Sequence, residues 1–374
     1  MDIVGEAFRL PACKYHEFAL LPGEIEPFFR TGRETRPLRS LSKVCAKLQF
    51  EGWGARICGF GHRISGGDFL EIVKTDVPMT GKLCEETILE LVKAYPFLRT
   101  ELLTETAFGR KIRTLVLGRG KRKVIYTAAH HANEWITTPL LLKFAEEFAQ
   151  AMESGGKVFD VEAKRLSDAV TVYMVPMVDP DGVDLVTGAI SEGEGQYEIA
   201  RRMAADYPQI PFPDGWKANL LGVDLNLQYP AGWLHAREIK FSQGYTRPGP
   251  RDYVGRAPLS QRESRALAGY TQYIDPDLVL AYHTQGKEIY WQFDDIEIEG
   301  ARELGERFAA VSGYTLTEPA EVSSFAGYKD WFIKVFRRPG FTVEAGSGEN
   351  PLPIGQFDEI YRDNLGILVT AAMG

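Results

Sequence analysis

A histidine and a glutamate three residues apart directly follow an apolar stretch in the first half of the chain. His131 and Glu134 come after residues 124–129, which have the composition of a buried strand. An imidazole and a carboxylate at this spacing, at a turn from strand to helix, can both reach one cation. Zinc accepts this mixture of nitrogen and oxygen ligands. The pair therefore predicts two ligands of a zinc site.

A third ligand can be sought among the six histidines of the chain. His283 ends the predicted strand 278–282, and ligands of α/β folds collect at the carboxyl ends of strands. A lone histidine there is more often structural, but together with His131 and Glu134 it favours a metal site. His130 competes with His131. Only His131 has the three-residue spacing to Glu134, so we expect His130 to point into the fold.

Three protein ligands leave one coordination position for water, which is the composition of a catalytic zinc site. Hydrolysis then needs a base to take a proton from the water and an acid to protonate the leaving nitrogen. Glu344 is the candidate, since it is a carboxylate within the otherwise apolar strand 341–345 and an unpaired buried charge is costly. A structural glutamate held in a salt bridge remains the alternative.

Composition narrows the classes of partner. The 374 residues are 44% hydrophobic and 25% charged, as in a globular protein with one large and one small domain. The net charge of −8 argues against nucleic acid and against an anionic membrane surface. No apolar run is long enough to span a bilayer, and no secretory signal is visible, so we expect a cytoplasmic protein. The four cysteines form no Cys-x-x-Cys pair, and free thiols are expected, with a disulfide or a second metal site as alternatives.

The chain divides into two parts by its patterns. Residues 1–77 predict a small α+β module with a helix at 36–50 and strands at 55–58 and 69–73. Its role cannot be read from the residues. Residues 78–374 alternate apolar strands with amphipathic helices, which predicts an α/β sheet covered on both faces. The predicted helices are 85–94, 138–152, 263–274 and 301–312; the predicted strands are 112–117, 123–129, 170–178, 278–282 and 341–345.

Several segments of residues 78–374, in this order, together resemble the zinc carboxypeptidase family. They are His131-Ala132-Asn133-Glu134-Trp135-Ile136, Val175-Pro176-Met177-Val178-Asp179-Pro180-Asp181-Gly182, Gly222-Val223-Asp224-Leu225-Asn226, His283 and Asp330-Trp331 before Glu344. The resemblance implies a mixed, largely parallel central sheet with helices on both faces. The segments 225–233, 283–286 and 341–344 are similar to the bacterial γ-D-glutamyl-L-diamino acid endopeptidases. Those enzymes cut murein-derived peptides next to diaminopimelate or lysine.

The resemblance also implies roles for matched residues. His131, Glu134 and His283 would hold one zinc ion, and Glu344 would be general base and acid. Lys217 takes the place of an arginine that polarises the scissile carbonyl. A lysine supplies the charge without the bidentate fork of an arginine, and a solvated lysine remains the alternative.

Substrate contacts are implied for Asn226, Gln285, Tyr328 and Lys329. The family's mobile-loop tyrosine falls at Val322 without gaps, and a short gap would bring Tyr328 into that role. Lys329 falls at a position that often sets specificity, where a cation would favour a side chain bearing a carboxylate, as diaminopimelate does; an exposed lysine is the alternative.

Two further features concern the substrate. Exopeptidases of the family follow the motif asparagine with an arginine that binds the terminal carboxylate, whereas Leu227 stands here. This departure favours the endopeptidase branch. The loop 247–253 carries basic and aromatic residues that could rim the cleft or lie in solvent.

The preferred hypothesis is zinc-dependent hydrolysis of a peptide amide, with a murein-derived peptide as substrate. Three alternatives stay open. They are a conventional carboxypeptidase in which another cation replaces the missing arginine, a deacylase of small N-acyl amino acids, and a non-catalytic protein that captures peptides. The oligomeric state cannot be read from the sequence.

Overall fold

The computed structural model describes residues 71–317 and 325–374. The predicted module at 1–77 lies almost wholly outside this part, as do its helix at 36–50, its strand at 55–58 and three of the cysteines. Residues 71–73, predicted to end a strand, form an irregular segment instead. Ile72 and Val73 are buried, and their N–H groups donate to the Glu146 carboxylate at 2.5 and 3.1 Å. Because their hydrogen bonds go to a side chain, no strand partner is needed there.

One mixed sheet organises the described residues. Its strands, with one separate two-stranded ribbon, are β1 (Arg99–Glu105), β2 (Lys111–Gly118), β3 (Arg122–Thr127), β4 (Lys157–Val158), β5 (Val161–Glu162), β6 (Val170–Val175), β7 (Leu278–His283), β8 (Glu288–Tyr290), β9 (Thr315–Thr317) and β10 (Gly340–Glu344). Eight strands form the sheet in the order β1-β2-β6-β3-β7-β10-β8-β9, and β4 pairs with β5. The central strands β6, β3, β7 and β10 are parallel, while β1, β2 and β8 pair antiparallel with their neighbours towards the centre. The predicted mixed, largely parallel sheet is confirmed.

Helices connect and cover these strands. They are α1 (Gly81–Ala94), α2 (Thr137–Ser154), α3 (Ala163–Ala169), α4 (Pro180–Val186), α5 (Gly195–Ala204), α6 (Trp233–Ser242), α7 (Arg262–Ile274), α8 (Ala301–Ser312), α9 (Tyr328–Phe336) and α10 (Phe357–Met373). The Thr80 hydroxyl caps α1 by accepting from Leu83 N at 3.1 Å. Gly155, at φ 71°, ends α2 in the left-handed conformation that glycine adopts without strain. None of the described helices combines the length and apolar composition that a bilayer crossing requires.

The central strands of the sheet are buried on both faces. Val124 and Tyr126 of β3 point into a core that includes residues of α2 and α10, while Ile125 between them points into a second core with residues of α7 and α9. Successive strand side chains point to opposite faces, so a strand covered on both sides is apolar at every position. This explains the continuous apolar runs of the sequence.

The helices and strands predicted for residues 78–374 are confirmed, and their observed ends differ from the predicted ends by four residues or fewer. Six helices (α3, α4, α5, α6, α9 and α10) and five strands (β1, β4, β5, β8 and β9) were not predicted. Of these, α9 and α10 matter most for the site: α9 leads into β10, and α10 packs in the same core as β3.

The strand that leads to His131 is tied to the last helix by one buried hydrogen bond, which Tyr126 Oη donates to Leu368 O at 2.7 Å. We expect Tyr126→Phe to lower the free energy of unfolding by about 1 kcal/mol, since only this hydrogen bond is lost. Urea denaturation would measure the change. The matched control is Tyr273→Phe, at a residue that is 74% exposed, where we expect almost no change. Equal effects of the two substitutions would contradict this role of Tyr126.

Candidate active site

The candidate site lies where three adjacent parallel strands end. His131 follows β3, and Glu134 closes a short 3-10 turn, Ala132–Glu134, directly after it. His283 is the last residue of β7, and Glu344 is the last residue of β10, opposite His283 in the ladder. The carboxyl ends of β3, β7 and β10 share one edge of the sheet, where α/β folds bind their ligands. Residues more than 200 positions apart in sequence therefore meet there.

His131, Glu134 and His283 form one buried cluster. The Glu134 carboxylate lies 2.9 Å from His131 Nδ1 through Oε1 and 2.9 Å from His283 Nδ1 through Oε2. The two Nδ1 atoms face each other at 3.1 Å, and the three ligand atoms lie within 4.8 Å of one another. Two imidazole nitrogens and a carboxylate that converge on one point match the ligand set of a catalytic zinc. These residues therefore fit a single zinc ion.

Asp224 orients the first histidine and was missed as a site residue from the sequence. Its Oδ1 lies 3.2 Å from His131 Nε2, so the Nδ1 of that ring is the atom left for a metal. Asp224 itself is held by the Asn226 N–H, which donates to Oδ1 at 3.0 Å. A carboxylate behind a ligating histidine fixes its ring and raises its basicity. The sequence signal that could have identified Asp224 was its position within the motif 222–226.

The charge of Glu134 is balanced by its neighbours. Burial opposes its ionisation, but His131, Lys217 and His283 around it hold the pKa of Glu134 well below its usual range. Lys217 Nζ lies 3.0 Å from Glu134 Oε1, and the Thr284 N–H donates to Oε2 at 3.3 Å. The carboxylate is therefore ionised and directed at the point where the two imidazoles meet.

Glu344 stands at the cavity wall in a different environment. Burial, and then the negative charge of Glu134, raise the pKa of Glu344 to about 8. Lys217 and His131 act in the opposite direction on this pKa. A bound divalent cation would add to their effect, because positive charge favours the carboxylate form. Glu344 thus has the environment of a group that can hold a proton or release it near neutral pH.

His130 points into the fold, as expected. It is fully buried, its ring stacks on His283 at 5.6 Å, and its Nε2 lies 3.2 Å from the Tyr229 hydroxyl. Burial lowers the pKa of His130 well below its usual value, so the ring is neutral. It packs behind the cluster and takes no part in it.

A cavity of about 930 Å³ opens onto the cluster. Lys217, Asn226, Leu227 and Gln285 line it together with Glu344. This volume can hold a peptide of a few residues. Asn226 Oδ1 already accepts from Tyr328 N at 3.0 Å, so its NH₂ group is the part available to a ligand.

Tyr328 and Lys329, two predicted substrate contacts, belong to the cavity lining but have buried side chains. Tyr328 begins α9, and its hydroxyl lies 2.7 Å from Thr271 Oγ1. Its ring packs in the core, and Val322 lies outside the described residues. Lys329 is also buried: its ammonium donates to Gln292 O and lies 2.6 Å from Asp330 Oδ1. Its charge is thereby neutralised within the protein.

The basic loop predicted at the rim divides between cavity and surface. Arg251 and Asp252 line the cavity. Arg247 pairs instead with Asp206 at 3.4 Å, and its side chain is 62% exposed. Only the second half of the loop therefore reaches the site.

The site combines a zinc-type ligand set with a separate carboxylate at the carboxyl edge of an α/β sheet. This combination is typical of metal-dependent hydrolases. Residues 84–366 match the family described as zinc carboxypeptidase. The chain belongs to the zinc carboxypeptidase family. It is a hydrolytic enzyme, and its cofactor is zinc.

The chain is also similar to individual proteins and to solved structures. The chain is 42% identical to "Gamma-D-glutamyl-L-diamino acid endopeptidase 1" of Lysinibacillus sphaericus over 282 residues, 75% of this chain and 69% of that protein. It is 36% identical to "Uncharacterized protein YqgT" of Bacillus subtilis (strain 168) over 286 residues, 76% of this chain and 74% of that protein. Among solved structures, carboxypeptidase A from Helicoverpa armigera shares the fold with a TM-score of 0.60 and 18% identity, over 80% of this chain and 75% of that one.

The cluster makes a prediction about metal binding. We expect His283→Ala to weaken zinc binding by more than about 100-fold, because loss of a ligand should exceed the roughly 10- to 100-fold cost of an outer-shell change. Competition with a chelator would measure the affinity. The matched control is His235→Ala, at a histidine whose side chain is 47% exposed and whose ring lies 3.8 Å from Glu238. Unchanged zinc affinity of His283→Ala would exclude His283 as a ligand.

Proposed function

We propose that this enzyme hydrolyses γ-D-glutamyl-L-diamino acid bonds in murein-derived peptides. The observation that carries the proposal is the His131–Glu134–His283 cluster beside Glu344 in a peptide-sized cavity. The relative that is 42% identical over three quarters of the chain bears the name of that activity. The substrate is thus a peptide with an unusual side-chain amide linkage.

The chain's own residues have distinct tasks in this reaction. His131, Glu134 and His283 would hold the zinc ion, which would supply a Lewis acid to polarise the scissile carbonyl and make water more acidic. Glu344 accepts a proton from the attacking water at its carboxylate and then delivers it to the leaving nitrogen. Because water attacks the carbonyl directly, no covalent acyl-enzyme is formed.

Lys217 is proposed to stabilise the oxyanion. Its ammonium lies 3.0 Å from Glu134, beside the ligand cluster, and its side chain is only 18% exposed. A charge held in a site that excludes water stabilises a developing oxyanion more strongly than one in solvent. The backbone fixes the position of this residue, since the Lys217 N–H donates to Pro250 O at 2.7 Å.

The cavity also bears on the choice between endopeptidase and exopeptidase. Leu227 lines the cavity where exopeptidases of the family would carry an arginine, and a leucine cannot bind a terminal carboxylate. Asn226, next to it, offers only its neutral NH₂ group. These two residues support cleavage that does not depend on a terminal carboxylate.

The proposal predicts a specific set of products. Zinc-loaded enzyme should release diaminopimelate from L-Ala-γ-D-Glu-diaminopimelate and diaminopimelyl-D-Ala from the D-Ala-extended peptide, as weighed by mass spectrometry. An α-linked isomer of the first peptide serves as control and should be a poor substrate. Release of free D-Ala would indicate a carboxypeptidase. Hydrolysis of N-acyl amino acids alone would indicate a deacylase.

Glu344 gives a second prediction. Glu344→Gln should retain zinc and lose activity by roughly 100- to 10,000-fold, because the amide can neither accept nor deliver the proton. The matched control is Glu349→Gln, at an exposed glutamate of the same cavity, which should remain active. A Glu344→Gln enzyme that keeps its rate would remove Glu344 from the mechanism.

A further inference from the structure

One wall of the cavity is built by two backbone segments held against each other. The N–H groups of Lys217 and Ala218 donate to Pro250 O at 2.7 and 2.9 Å, and the Asp224 N–H donates to Tyr253 O at 2.9 Å. Arg251 lies between these anchor points and lines the cavity. Its backbone is therefore fixed beside Lys217, the residue proposed to meet the oxyanion.

Only the Nε group of the Arg251 guanidinium is hydrogen-bonded within the described part of the protein. Its Nε donates to Asp252 Oδ2 at 2.7 Å, and Asp252 Oδ1 lies 2.7 Å from Lys240 Nζ. Lys240 is 9% exposed, whereas the side chain of Arg251 is 40% exposed. Within residues 71–317 and 325–374, the two Nη groups make no hydrogen bond to protein. The guanidinium is thus positioned by a buried pair and keeps donors available for a ligand.

Two carboxylates lie in the group of charges that includes Arg251. Lys240 and Arg251 share the carboxylate of Asp252, and Asp224 Oδ2 accepts from Asp252 N at 3.4 Å. The ammonium of Lys329 is engaged by Gln292 O and by Asp330. Within the described residues Arg251 differs from Lys329 because its two Nη groups remain available to an anion.

The backbone of Asp252 adopts an unusual conformation. Asp252 has φ 64°, a left-handed conformation that few residues other than glycine adopt. Both carboxylate oxygens of this residue are engaged by cations, which compensates for the local strain.

We propose that Arg251 forms an anion subsite that binds the free α-carboxylate of the glutamyl residue whose γ-carbonyl is attacked. This inference rests on the proposed function. In a γ-linked glutamyl peptide the α-carboxylate stays free, four bonds or roughly 5 Å from the scissile carbon when extended. In an α-linked glutamyl peptide the free γ-carboxylate also lies four bonds from the scissile carbon, and the two linkages differ in the position of the acylated nitrogen. The subsite would therefore select for a free glutamyl carboxylate and not for the linkage.

The proposed roles of Lys217 and Glu344 indicate on which side of the scissile bond Arg251 lies. The carbonyl oxygen meets Lys217, and the leaving nitrogen meets Glu344. Arg251 adjoins Lys217 through the backbone bonds to Pro250, so it is assigned to the acyl residue rather than to the leaving diamino acid. A subsite for the leaving residue's terminal carboxylate is the alternative that an experiment must separate.

The test compares three peptides. They are L-Ala-γ-D-Glu-diaminopimelate, the same peptide with the glutamyl α-carboxylate converted to an amide, and the same peptide with the terminal carboxylate of diaminopimelate converted to an amide. We expect kcat/KM of the unaltered enzyme to fall roughly 10- to 100-fold with the glutamyl amide, as expected for loss of a charge-assisted hydrogen bond. The terminal amide should have a much smaller effect.

Substitutions of Arg251 test whether its side chain causes the preference for the free glutamyl carboxylate. Arg251→Gln should cleave the free and amidated glutamyl peptides with similar, low kcat/KM, while Arg251→Lys should keep part of the preference. Arg247→Gln, in the same loop but outside the cavity, is the matched control and should behave as the unaltered enzyme. Zinc content and melting temperature of each variant verify that it is folded and loaded.

Different outcomes reject different claims. Equal cleavage of the free and amidated glutamyl peptides by the unaltered enzyme would reject the subsite while the proposed function stands. A preference that persists in Arg251→Gln, or follows the terminal carboxylate, would also reject it. No cleavage of any of the three peptides by the unaltered enzyme would reject the proposed function itself.

Discussion

The compensation of one buried negative charge governs the architecture of this site. Glu134 is 1% exposed, and an isolated carboxylate at such a depth would be strongly unfavourable. His131, His283 and Lys217 surround it at 2.9 to 3.0 Å and make its ionised form the stable one. The same convergence of a carboxylate and two imidazoles is what a zinc ion requires. Loss of any one of these partners would affect both charge balance and metal binding.

The parallel sheet is what allows these residues to meet. β3, β7 and β10 are neighbours, and each carries its functional residue at or just beyond its carboxyl end. Ladder pairing puts Glu344 opposite His283 without any contribution from loops. His283 and Glu344 thus rest on strands, whereas His131 and Glu134 lie in the short segment that directly follows β3.

The substrate side of the cavity is organised differently, by loops. Segments 217–227 and 247–253 are tied together by backbone hydrogen bonds, and they present Lys217, Leu227 and Arg251 to the cavity. Changes in such loops alter specificity at little cost to the sheet beneath them. The apolar residue at 227 and the cation at 251 are one such combination.

The sequence by itself determined the elements with strong periodicity and the identity of the chemical groups. Continuous apolar strands, the His-x-x-Glu spacing and a histidine at a strand end depend only on local pattern, and the structure brings His131, Glu134 and His283 together as those patterns imply. The polar surface helices α5 and α6 and the short apolar run in α10 carry weaker local signals, so they were not predicted. Tertiary structure alone decided that Tyr328 is buried, that Asp330 neutralises Lys329, and that Asp224 and Arg251 belong to the site. Exposure and ion pairing depend on segments that are distant in the chain, and the residue types alone do not specify which of those segments will meet.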